Sequence, residues 1–191
     1  LTWAESPFMT DMLKLHNGLS VYSPPEAANS FSYSPALLHL TYSLLKPLGL
    51  HLNIVWCRLV SVAIGAAACL LAALVMKELG AGPAGRAAPR RFPLAFLLAL
   101  LVVFSNITSE SPHPDNLHIL HATATLWLGL LALRRERYEL ALCTVVWAGL
   151  GVLIKQTAAL TWLGAGAALA IAGKWGRRRS VGLLVLGAVT G

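Results

Sequence analysis

Five apolar runs and the start of a sixth divide this chain, with short polar connections between them. They cover residues 54–76, 92 to about 108, 117–133, 138–154 and 157–172, and the sixth opens over 181–191. A spanning helix needs roughly 20 apolar residues, and these runs approach or reach that length. Bilayer hydrocarbon leaves no backbone amide hydrated, so each run is expected as a helix. The first 53 residues follow another pattern. Residues 1–35 mix acids, aromatics, Gly18, Pro24, Pro25 and Pro35, as a structured loop does. From Pro35 onward Leu37, Leu38, Thr41, Leu44, Leu45 and Leu48 recur at helical spacing, with His39 and Lys46 off the stripe. A helix that starts at a proline and is too short and polar to span is expected flat in the membrane interface.

The pattern predicts an all-α, polytopic membrane helix bundle. Residues 1–53 form an extracytoplasmic loop with an interfacial helix, and residues 54–191 form the transmembrane region of a larger domain of which this chain is a part. Composition agrees. The 191 residues are 57% hydrophobic and 12% charged, about half the charge of an ordinary soluble domain.

The net charge of +7 changes the picture only through its placement. Lys77, Arg86, Arg90, Arg91, Arg134, Arg135, Arg137, Lys174, Arg177, Arg178 and Arg179 sit in connections between apolar runs, which excludes a continuous basic face for nucleic acid. Positive connections mark the cytoplasmic side. Assigning 77–91, 134–137 and 173–180 to that side leaves 1–53, 105–116 and 154–156 outside. Glu5, Asp11, Glu26, Glu110 and Asp115 then share the outer face with Lys155. Cys57, Cys69 and Cys143 lie in apolar runs without CxxC spacing and read as small buried hydrophobes.

The outer face carries the candidate chemistry. In SESPHPDNLHILHA, residues 109–122, Asp115 stands just ahead of an apolar run, where an ionisable group is either functional or a helix-starting carboxylate. His118 and His121 share its helix face and are expected to meet water or headgroups rather than a dedicated zinc ion. Asp11 lies in MTDMLKLHNG, a helix-like run expected to face water. Lys155, in GVLIKQTAAL, needs an anion or a carbonyl, and Arg58 is expected to snorkel outward or pair with an outer acid.

Several stretches together resemble a known family. Glu5 at the mouth of the first outer loop, a helix ending LHNGLSVY, the stretch FSYSPALLHLTYSLLKPLGL, a span opening with CRLVS, HPDNL at 113–117 and KQTAAL at 155–160 look like the polyprenyl-phosphate-sugar-dependent membrane glycosyltransferases of the GT-C superfamily. The resemblance extends over nearly the whole chain, in motif order and in the side of the membrane. Ala4 precedes Glu5 where the family often has a pair of acids.

The resemblance implies a glycosyltransferase moving a sugar from a polyprenyl-phosphate donor to a glycan, lipid or protein acceptor outside the cytoplasm. It implies Glu5 as general base and Asp115 as the second-loop acid, orienting the substrates or holding a divalent cation such as Mg or Mn. Lys155, His113 and Arg58 would meet the donor phosphate. Arg- and Ala-rich connections such as GAGPAGRAAPRR make a bacterial inner membrane the expected setting. The competing class is a transporter or channel subunit with outer acids and histidines along a cation or proton path, which predicts polar groups near the bilayer midplane.

Overall fold

A computed structural model describes residues 5–22, 35–80, 114–154 and 158–189. Among the described residues the chain is helical throughout, with no strand. Seven α-helices follow in order: α1 (Glu5–His16), α2 (Pro35–Leu45), α3 (Ile54–Gly80), α4 (Pro114–Arg134), α5 (Tyr138–Leu150), α6 (Ala158–Ala172) and α7 (Arg177–Val189). Short 3-10 turns extend α2 over Lys46–Leu48 and α5 over Gly151–Leu153.

Two ties fix the direction of the central pair. Asn116 Nδ2 of α4 donates to Ser61 Oγ of α3 at 2.9 Å. Eighteen residues further along α4 and seventeen further along α3, the Arg134 guanidinium meets the Glu78 carboxylate at 2.7 Å and also donates to the Glu78 carbonyl. The two intervals run in the same direction and nearly match, so α3 and α4 run parallel. Parallel neighbours need a connection that returns the length of the helix, and the run expected over 92 to about 108 would supply it; that run lies outside the described residues.

The remaining helices alternate. Arg137 N–H donates to the Ala132 carbonyl at 3.1 Å and Glu136 N–H to Leu133 at 3.4 Å, closing α4 with Glu136 in the left-handed region at φ 48°. The chain reverses there into α5. The second reversal, from α6 to α7, needs two glycines. Gly176 sits at φ 78°, and a Cβ on Gly173 would overlap the Trp175 indole, whose Nε1 donates to the Leu169 carbonyl at 2.8 Å. Backbones of α6 and α7 approach closely at Gly166 and Gly187, the small-residue packing that membrane helices use.

Two clusters result. At one end Phe8, Met12, Val21, Leu37, Leu38, Leu45, Cys57 and Ile64 pack together, with Leu117 and Leu120 of α4 against them. Toward the other end Ala132, Ala141, Val145, Ala148, Leu169, Ala170, Trp175 and Leu183 join α4 to α7. We call these the α1–α2 end and the basic end, because the second gathers Lys77, the Arg134–Arg137 turn and the Lys174–Arg179 turn. Lys174 Nζ lies 3.5 Å from Glu136, and Tyr138 donates to the Arg179 carbonyl at 3.4 Å.

Several expectations shift. Among the described residues two helices, Ile54–Leu79 and Asp115–Arg134, are long and apolar enough to cross a membrane. Tyr138–Leu153 and Leu163–Ala172 are apolar but shorter; at 1.5 Å per residue the former extends about 24 Å against a core of about 30 Å. Helix α7 starts at Arg177 rather than at 181, so three arginines occupy its first turn. In α2 the stripe divides: Leu37, Leu38, Thr41 and Leu45 are buried, whereas Leu44 and Leu48 are exposed beside Leu40. Cys57 and Cys69 are buried as expected, but Cys143 is exposed, because α5 turns that face outward from both clusters.

Candidate functional site at the α1–α2 end

Three of the sequence-derived residues come to one end of the bundle. Glu5 opens α1 one turn before Phe8, Arg58 follows the buried Cys57 in α3, and Asp115 stands in the first turn of α4 two residues before Leu117. Phe8 and Cys57 belong to the same hydrophobic cluster, and Leu117 packs against it. The Asn116–Ser61 hydrogen bond, one residue from Asp115 and three from Arg58, holds the openings of α4 and α3 together. Asp115 is half-buried, and a carboxylate there is favoured by the unpaired N–H groups and positive dipole end of α4. Arg58 is exposed. His113 and Lys155 lie outside the described residues.

Among the described residues, no group of three or more His, Cys, Asp or Glu side chains converges as a metal site.

The same end holds polar residues that the sequence pattern placed in water. Asp11 is fully buried, with Lys14 Nζ at 3.3 Å. Its helix packs the Phe8 and Met12 face against α2 and α3, and this carries Asp11 inward. Burial, and then the negative charge of Asp11, hold the Tyr22 phenol above its ordinary pKa, so Tyr22 stays a neutral hydroxyl.

His16 Nδ1 and His51 Nε2 share a hydrogen bond of 2.8 Å that ties the end of α1 to the connection before α3. Tyr42 of α2 stands edge-on to His51 and donates to the Leu15 carbonyl at 3.2 Å, while Lys46 lies over the Tyr42 ring. Burial, then His16, then Lys46, lower the His51 pKa. The folded state thus keeps His51 neutral, whereas an unfolded histidine takes up a proton below about pH 6.5. The unfolded state binds more protons, so the contribution of this pair is present above pH 6.5 and is lost as pH falls below it. Hydrogen exchange of α1 amides is expected to accelerate on acidification through that range, and exchange insensitive to pH after correction for intrinsic rates would contradict the assignment.

His121 is also buried rather than hydrated. Its Nε2 donates to the Trp147 carbonyl at 2.7 Å, and its ring stacks on the Trp147 indole. The reason lies in α5. At Gly151 the helix tightens to 3-10, the Gly151 N–H turns to the Ala148 and Gly149 carbonyls, and the Trp147 carbonyl is left for the histidine. Replacing His121 by Ala strands that carbonyl and is expected to cost about 1–3 kcal/mol. Detergent-titration unfolding of the purified protein checks the loss, and His121→Gln should recover part of it.

A family model described as dolichyl-phosphate-mannose-protein mannosyltransferase matches residues 48–190. The match takes in both candidate spans, Arg58, His113, Asp115 and Lys155, and it begins after Glu5. No curated protein and no solved structure matches the chain.

Proposed function

The chain belongs to the dolichyl-phosphate-mannose-protein mannosyltransferase family, a GT-C type of membrane glycosyltransferase, and from that premise we propose how its α1–α2 end works. The proposed reaction moves a sugar from a polyprenyl-phosphate donor to an acceptor hydroxyl at the extracytoplasmic membrane surface. The observation that carries it is the parallel pairing of α3 and α4, which gathers Arg58, Asp115 and the opening of α1 at the end opposite the basic turns. Lys and Arg concentrate on cytoplasmic connections, so the gathered acids take the outer side and the bundle is a multi-pass protein of the cell membrane.

Each proposed role follows from the bond changes. The acceptor hydroxyl must lose its proton as its oxygen attacks the anomeric carbon, and a carboxylate within hydrogen-bond reach accepts it. Glu5 has this role. The C–O bond to the donor breaks toward the lipid phosphate, whose growing negative charge requires cationic donors. Arg58, Lys155 and His113 are the candidates. Asp115, at the start of α4, orients the donor sugar and the acceptor by accepting their hydroxyl hydrogens. The exposed leucines of α2 and its 3-10 turn, Leu40, Leu44 and Leu48, lie where the lipid tail enters from the bilayer.

Transport is the weaker alternative, since family membership supplies the chemistry directly. The test is donor choice by the full-length protein reconstituted in vesicles. Labelled sugar should pass to acceptor from a polyprenyl-phosphate donor and not from a nucleotide sugar; transfer from the nucleotide sugar alone would overturn the proposal.

A further inference from the structure

The basic end carries a feature that sugar transfer does not use. The α4–α5 and α6–α7 turns lie side by side, joined by Lys174–Glu136 at 3.5 Å and by Tyr138 donating to the Arg179 carbonyl. Arg135, Arg137, Lys174, Arg177, Arg178 and Arg179 are all exposed on these two turns and the first turn of α7. The exposed acids among them are Glu136 and Glu139, so six cations face two carboxylates. The two ion pairs that result are loose: Arg137–Glu139 spans 3.8 Å, and in the Lys174–Glu136 pair the side chains are 84% and 65% exposed. Such pairs leave most of the positive field unspent. Arg134 is excluded, since Glu78 matches it.

Three arginines in the first turn of α7 point the same way. Cations oppose the positive end of a helix dipole, and nothing in the helix itself rewards them there. An external anion does, by pairing with the guanidinium forks and by meeting the free N–H groups of the turn.

The surroundings identify the anion. Ile171 is 84% exposed one turn before Lys174, and Val181, Leu184 and Val185 are about half exposed directly after Arg179. Apolar side chains therefore stand against the cations on the side toward the middle of the bundle, with Tyr138 and Trp175 at the boundary, the ring of Tyr138 lying under Arg179 at 5.2 Å. A soluble anion has no use for the apolar half, and a nucleic acid would meet hydrocarbon. A phospholipid satisfies both halves.

We propose that the paired α4–α5 and α6–α7 turns form a binding site for anionic phospholipid, with the headgroup phosphate on Arg135, Arg137, Lys174 and the Arg177–Arg179 turn and the acyl chains along Ile171, Val181 and Val185. The site is separate from the proposed catalytic end and rests only on the bundle lying in a membrane.

The test uses full-length protein in nanodiscs of phosphatidylcholine alone and of phosphatidylcholine with phosphatidylglycerol. Phosphatidylglycerol should raise Tm by roughly 5 °C, as saturating binding to the folded state does for a protein of this size, and the rise should shrink as salt increases. Inorganic phosphate at matched ionic strength should not reproduce it. The rise should fall by more than half in R177Q/R178Q/R179Q and grow in Glu136→Gln, which removes a competing carboxylate. Glu136→Gln needs no buried partner, so it decides the matter where the triple variant fails to fold. Equal Tm in both lipids, an equal rise with inorganic phosphate, or a rise unchanged in both variants would overturn the proposal.

Discussion

Glu5→Gln in the full-length protein is expected to lower the rate of sugar transfer by about 10²–10⁴-fold, the range for loss of a positioned general base. The substitution keeps the size and the hydrogen-bonding shape of the side chain and removes its capacity to take a proton. Glu5 opens α1, and further along the helix α1 is held by Phe8 and Met12 in the cluster, Asp11 with Lys14, and His16 with His51. None of these contacts is altered, so expression and thermal stability should match the wild type. Donor affinity should change little while turnover collapses, which separates a base from a residue that only binds substrate. Wild-type turnover in Glu5→Gln would remove Glu5 from the mechanism.

Asp115→Asn is the second large effect. A carboxylate that orients substrate hydroxyls acts where charge develops, and removing such a group costs about 10²–10³-fold in turnover. The favourable placement of its charge at the helix N-terminus is worth about 0.3–1 kcal/mol. The neighbouring Asn116–Ser61 bond remains to hold α4 against α3. If Asp115 only starts the helix, Asn, an equally good residue near a helix start, leaves turnover untouched. Rate and stability measured on one preparation therefore distinguish the two roles.

The all-helical fold and the separation of the two ends were legible because hydropathy and charge act through the bilayer, a solvent common to the whole chain. The Arg134 and Lys174 turns were expected on one side and are in contact there. Helix limits were less legible where local geometry competes with hydropathy, as at Arg177, where Gly173 and Gly176 complete the reversal early and leave the arginines to open α7. Residue roles set by tertiary contact escaped altogether. Asp11 looks like a solvated acid in MTDMLKLHNG, and only the packing of α1 on α2 and α3 buries it. His121 looks hydrated until the tightening of α5 at Gly151 frees the Trp147 carbonyl for it. Among the candidate catalytic residues, Glu5, Arg58 and Asp115 fall at one end of the bundle, because order along the chain fixes which end of each helix a residue occupies.

The central claim is that Glu5 and Asp115 serve one reaction at one end of the bundle. The measurement closest to it is the initial rate of labelled-sugar transfer from a polyprenyl-phosphate donor by full-length wild type, Glu5→Gln, Asp115→Asn and the double variant. Groups that act as a unit give strongly non-additive losses, so the double variant should be no slower than the slower single variant, within about threefold. Losses that multiply, or wild-type turnover in either single variant, would contradict a shared site.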